Sequence, residues 1–192
     1  WHHPRLGVLS PAAFLAIAEE TGLIVDIGAW VLHEGCRQLH AWRQRYASHH
    51  AELTLAINLS AVQIKQAQLP QSVMAALAEN GLPAQALELE ITESMLIEVT
   101  TDMVAMLSDI SAQGVAMSLD DFGTGYSSLD HLKLFPISIL KIDKGFVSAV
   151  GEGSKSEKLF VAIIAFAKAL NMQIVVEGVE TQAQAEFCTQ QG

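Results

Sequence analysis

Basic residues are scarce in this chain: 11 Lys and Arg stand against 21 Asp and Glu, for a formal net charge of −10. Long DNA or RNA needs basic surface to displace counterions, so the balance argues against that class of partner. It does not exclude a small phosphate ligand, because bound cations reverse the sign locally. Cysteine is almost missing. Cys36 and Cys188 have no metal-ligand spacing and are read as small buried or half-buried side chains in a reduced compartment. No uninterrupted apolar stretch approaches the roughly 20 residues that cross a bilayer, and the first residues do not resemble a secretory signal. Internal repeats and low-complexity tracts are lacking too. Apolar residues are what the chain has in quantity, 51% of 192, spread along its length and sufficient for the core of one globular domain.

The most informative stretch is Ser118-Leu-Asp120-Asp121-Phe-Gly123-Thr-Gly125-Tyr-Ser-Ser128. An apolar run, Val115 to Leu119, closes on two adjacent carboxylates and a glycine-bearing loop. Adjacent side chains in a strand face opposite ways, so both acids serve one site only if the strand ends before them. A site at the carboxyl edge of a parallel sheet is expected there. Two hard anionic groups at such an edge suit Mg²⁺ or Mn²⁺, which prefer oxygen ligands.

The same arrangement recurs. Leu53 to Ile57 ends in Asn58-Leu-Ser60, and Leu87 to Ile91 carries Glu88 and Glu90 before Thr92-Glu93-Ser94. Ile137 to Leu140 leads into Lys141-Ile-Asp143, and Ile174 to Val176 into Glu177-Gly-Val-Glu180. Helical segments separate these strand candidates. Ser10-Pro11 reads as a helix start and Gly22 as its stop. Asp26 is expected to cap a second helix with Ile27, Trp30, Val31 and Leu39 inward. Val73, Met74 and Leu77 mark a third before Gly81, and Met103, Met106, Leu107 and Ile110 a fourth before Gly114. Leu159, Phe160, Ile163, Ile164 and Ala167 form a stripe before Asn171, after a loop at Glu152 to Ser156. Thr181-x-x-Gln184 resembles a capping box. Alternating apolar strands and helices imply a parallel α/β fold. Candidate ligands at all five strand ends favour a barrel, in which every strand end faces one mouth. Because five strands cannot close it, the chain is read as the larger part of a (β/α)8-type domain.

Several other motif matches fail. Asp121-Phe-Gly123 has no accompanying His-Arg-Asp or Gly-rich phosphate loop, which excludes a kinase. Gly123-x-Gly125 is followed by Ser128 where a dinucleotide fingerprint needs glycine. His33 and His40 are surface residues on one helix face rather than ligands, and Asn58-Leu-Ser60 is a sequon in pattern only. Glu88 is expected to point away from Glu90 and is left out of the site.

Asn58-Leu-Ser60, Glu88-Leu-Glu90-Ile-Thr-Glu93-Ser94, Asp120-Asp121-Phe-Gly-Thr-Gly-Tyr-Ser-Ser-Leu129, Leu140-Lys141-Ile-Asp143 and Glu177-Gly-Val-Glu180 stand in the order and spacing of EAL domains, as does the opening Trp1-His2-His3-Pro4. The resemblance covers essentially the whole chain, 1–192. It implies a modified TIM-type barrel, incomplete here with about five strands, that hydrolyses cyclic di-GMP to linear pGpG in bacterial signalling. It carries metal ligation to Asn58, Glu90, Asp120 and Glu177, with Asp121 reaching a second Mg²⁺ or Mn²⁺. Two divalent ions about 3.5–4 Å apart acidify a bridging water and bracket an in-line displacement. Lys141 matches a lysine set against that water, as base or as orienter. Glu93 matches a glutamate anchoring the loop Phe122 to Ser128, which is also where a homodimer contact is expected. Glu180 matches a further position near the metals, ranked below Glu177.

Three family features find no match. The glutamate of the Glu-Ala-Leu signature and a phosphate-binding arginine fall before Trp1, and a glutamine on a last strand falls after Gly192. The chain is therefore expected to turn over weakly or not at all by itself. Fusion to GGDEF, PAS or membrane-sensor domains is expected in the parent protein, with this domain cytoplasmic. The alternative reading is an inactive EAL-type module that binds cyclic di-GMP or a protein partner as a sensor.

Overall fold

In the computed structural model of the chain, residues 1–46, 53–97, 100–123, 132–148 and 155–192 are described. The chain divides into two compact units, Trp1–Leu87 and Glu88–Gly192.

The first unit opens with a short antiparallel hairpin, β1 (His2–His3) against β2 (Gly7–Val8), which the sequence did not suggest. The start expected at Ser10-Pro11 is a 3-10 turn, Pro11–Ala13, that leads into the helix Leu15–Thr21. That helix stops where expected, at Gly22 in the left-handed conformation. The long helix Ile24–Arg45 follows at once. Asp26 does not cap it: Leu23 stands at the N-cap, and Asp26 lies in the first turn, where a carboxylate favours the helix dipole. Leu32, Cys36 and Leu39 form the buried stripe, whereas Trp30 and Val31, expected inward, are exposed; the helix packs against Leu69–Glu79 and against β3 (Leu55–Asn58). Cys36 is buried and Cys188 half-buried, and both are free thiols, as expected.

The second unit is built on β4 (Leu87–Thr92), β5 (Ala116–Phe122), β6 (Ile139–Ile142) and β7 (Gln173–Val176). These pair in parallel in chain order. Thr101–Ala112 is helical between β4 and β5, and Lys155–Ala169 between β6 and β7. The latter takes in Lys155 and Ser156, which the sequence put in a loop; Glu152 to Ser154 lie outside the described residues. Asn171 turns the chain with φ 56° after that helix, as its position suggested.

Strand alternation sorts the sheet into two faces. Leu89, Ile91, Met117, Leu119, Leu140 and Ile142 are wholly buried on one. Leu107, Ile110, Phe160 and Ile164 are buried on the flanking helices. Glu90, Ser118, Asp120 and Lys141 fall on the other face, and Glu88, two residues before Glu90 in the same strand, shares that face by the same alternation and does not point away as expected.

Candidate active site

The two aspartates do not follow a finished strand. β5 runs through both of them to Phe122. A register shift makes room: Leu119 pairs with Leu140 and Phe122 with Ile142, so Asp120 and Asp121 together oppose Lys141. This is a β-bulge, a form rare in parallel sheets, and it breaks the alternation that would send the two acids to opposite faces. Its residue of unusual backbone is Asp121, at φ 55°, a region where aspartate is among the more tolerated side chains. The Asp121 N–H donates to Asp120 Oδ1 at 3.0 Å, closing the turn locally. Lys141 likewise lies inside β6, not beyond it.

Lys141 is the centre of the cluster. Its Nζ donates to Glu90 Oε1 and to the carboxylate of Glu177, each at 2.8 Å, and stands 3.5 Å from Asp120 Oδ1. Glu90 comes from β4, Asp120 from β5, Lys141 from β6 and Glu177 from the residue after β7. Four successive strands thus deliver four charged groups to one carboxyl edge. Burial of Lys141 works to lower its pKa, but the hydrogen bonds to Glu177 and Glu90 and the charges of Glu90 and Asp120 outweigh it. The ammonium is held well above the usual lysine value and stays protonated near neutrality. Asp121 is shifted upward, first by desolvation and then by Asp120, Asp143 and Glu177, against which Lys141 acts only in part. One ammonium does not neutralise this edge.

Glu93 sits in the 3-10 turn Glu93–Leu96 that ends β4 and is 4% exposed. Its Oε2 accepts the backbone N–H of Gly123 at 2.8 Å, thirty residues away. A buried carboxylate therefore ties down the residue that follows Asp120-Asp121-Phe122. Gly123 has φ 95°, and a Cβ there would lie 2.5 Å from the Phe146 ring, so both conformation and space require glycine. Thr124 to Ser128, the rest of the expected loop and dimer contact, lie outside the described residues.

Two further residues of the expected site lie on other elements. Glu180 is exposed and belongs to the lead-in of the last helix, Gln182–Gln191; its N–H and that of Thr181 both donate to Gln184 Oε1, completing the expected capping box. Asn58 is the last residue of β3 and belongs to the first unit. Among the described residues no three His, Cys, Asp or Glu side chains form a metal-holding group; the three carboxylates are gathered on the Lys141 ammonium instead. Their chemistry nonetheless fits a hard cation, being all oxygen and already converged on positive charge.

Comparison with known proteins decides the family. The family model described as the EAL domain matches residues 1–192. The chain belongs to the EAL domain family. MucR of Pseudomonas aeruginosa, described as a bifunctional diguanylate cyclase/cyclic di-GMP phosphodiesterase, is 47% identical over 192 residues, all of this chain and 28% of that protein. NbdA of the same species, a cyclic di-GMP phosphodiesterase, is 38% identical over 97% of this chain and 24% of its own length. The chain thus spans about a quarter of the curated relatives it matches. The solved structure of the MucR phosphodiesterase in complex with c-di-GMP has a TM-score of 0.89 and covers all of this chain and 76% of that one. The EAL domain has the α/β, TIM-barrel-like fold expected from the alternating elements. No described helix is long and apolar enough to cross a membrane.

Proposed function

We propose that this EAL domain hydrolyses cyclic di-GMP to linear pGpG with the help of divalent cations. The observation that carries the reading is the convergence of Glu90, Asp120 and Glu177 on Lys141 Nζ at the carboxyl edge of β4 to β7. The relatives described as cyclic di-GMP phosphodiesterases support the substrate.

Glu90, Asp120, Asp121 and Glu177 supply oxygen donors for Mg²⁺ or Mn²⁺, and Asn58 an amide oxygen. Two such ions held by these residues would supply neutralisation of the phosphate charge and a more acidic water. Lys141, already protonated and held by three carboxylates, orients the attacking oxygen by donating a hydrogen bond. Glu93 holds the backbone after the two aspartates and keeps the bulge in place through Gly123. Hydrolysis adds the water oxygen to one phosphorus, breaks that phosphorus–O3′ bond and leaves the proton on O3′, giving a 5′-phosphate and a free 3′-hydroxyl. Glu180 is assigned a supporting place at the helix start after β7. A homodimer through the loop after Asp121 and covalent attachment to signalling domains complete the reading for the whole protein.

The test is incubation of purified protein, in excess over cyclic di-GMP, with Mn²⁺ or Mg²⁺, followed by chromatography. Metal-dependent pGpG that disappears in Asp120→Asn supports hydrolysis. Stoichiometric binding of intact cyclic di-GMP without product would instead establish the sensor.

A further inference from the structure

Asn58 ends a four-residue strand, and the helix that follows, Ala61–Ile64, is a single turn. An isolated turn has paid the nucleation cost of a helix with almost no propagation to offset it. What fixes the segment is a reciprocal cap. Ser60 Oγ accepts the Gln63 N–H at 3.2 Å, and Gln63 Oε1 accepts the Ser60 N–H at 3.0 Å. Both residues are buried.

The Gln63 amide is in turn pressed onto Gly28, in the first turns of Ile24–Arg45. A Cβ built on Gly28 would lie 1.9 Å from Gln63 Nε2 and 2.6 Å from its Cδ. Gly28 has no positive φ, so backbone freedom does not explain a glycine there. A glycine inside a helix costs about 1 kcal/mol relative to alanine. Close approach of the amide accounts for it.

We propose that Gln63 is a positioning residue for Asn58, and that Gly28 provides the space in which its amide works. Locking the Ser60 N–H fixes the peptide two residues past Asn58, and with it the direction of the Asn58 side chain. This rests on the reading above in which Asn58 is a metal ligand.

The experiment is calorimetric titration of Mn²⁺ into the wild type, Gln63→Ala, Gln63→Glu, Gly28→Ala, Asn58→Ala and the double variant Asn58→Ala/Gln63→Ala, with thermal unfolding of each. Gln63→Ala is expected to weaken Mn²⁺ binding about tenfold, as residues supporting metal ligands commonly do. Gln63→Glu keeps an acceptor for the Ser60 N–H and should recover most of that loss. Gly28→Ala, which displaces the amide without deleting it, should weaken binding in the same direction and serves should Gln63→Ala unfold. Once Asn58 is alanine there is nothing left to position, so removing Gln63 as well should change Mn²⁺ affinity no further. A lowered Tm with unchanged Mn²⁺ affinity in Gln63→Ala overturns the proposal, as does a second full loss of affinity in the double variant. A wild type that binds no Mn²⁺ overturns both this proposal and the metal reading. Mn²⁺ binding that follows the expected pattern without pGpG formation removes the hydrolytic reading and leaves the positioning role standing.

Discussion

Replacing Lys141 by methionine keeps the length of the side chain and removes the ammonium that Glu90, Asp120 and Glu177 share. The arms of this cluster are unequal. Glu90 and Asp120 are 6% and 16% exposed, so each loses its partner in a largely dry setting, whereas Glu177 at 39% is well screened. Leaving a buried carboxylate without its cation costs about 3–5 kcal/mol, and an exposed pair adds under about 1 kcal/mol. We expect about 3 kcal/mol at pH 7. In a chain of this size 1 kcal/mol moves Tm by about 2–4 °C, so Tm should fall by about 6–12 °C. The pH dependence has a definite sign. A lysine pKa raised by folding contributes stability that is fully present below its unfolded value and lost as pH rises through the folded one. The gap between wild type and Lys141→Met should therefore hold steady from pH 6 to about 9 and shrink above the ordinary lysine value of about 10.4. Urea unfolding across pH measures it. A Lys141→Met chain as stable as wild type at pH 7 would refute the view that the ammonium offsets the carboxylate charge of Glu90 and Asp120.

Three further outcomes follow from single contacts. Glu93→Ala deletes the buried acceptor of the Gly123 N–H and should cost about 1.5–3 kcal/mol, with a fall in pGpG formation; Glu93→Gln retains an acceptor and should cost less in both assays. Gly123→Ala sets a Cβ 2.5 Å from the Phe146 ring at φ 95° and should destabilise by more than about 1 kcal/mol in urea. Ser118 Oγ is fully buried without a hydrogen bond, so Ser118→Ala should raise stability by about 1 kcal/mol; a lower Tm in that variant would mean the hydroxyl has a partner in solution.

The sheet was legible because buried parallel strands are nearly continuous apolar runs. Leu87–Thr92 and Gln173–Val176 fall within a residue or so of the runs that announced them. The strand through Asp120 and Asp121 was not, because alternation alone requires the strand to end before two acids that act together. A bulge gives the same result with the strand intact, and its signature is a positive φ at Asp121 that no sequence pattern displays. Capping chemistry read well at Thr181 and Gln184, where both reciprocal bonds form, and badly at Asp26, where the helix starts directly after the Gly22 turn. Glu90, Asp120, Lys141 and Glu177 were named from strand ends and family motifs together. Their gathering on one ammonium is a tertiary fact, as is the bond from Glu93 to Gly123. The reason for Gly28 lies in a side chain thirty-five residues further along and is invisible in its own helix.

The central claim is that the carboxylates around Lys141 serve the addition of water to one phosphodiester of cyclic di-GMP. The most direct measurement is conversion of cyclic di-GMP in ¹⁸O-labelled water with Mn²⁺, protein in excess, read by mass spectrometry beside Asp120→Asn. The account predicts pGpG with a single ¹⁸O on its 5′-phosphate, formed at least about 100-fold more slowly by the variant, a loss of about 2.7 kcal/mol in transition-state stabilisation. Unlabelled product, or equal rates from the two proteins, would contradict it.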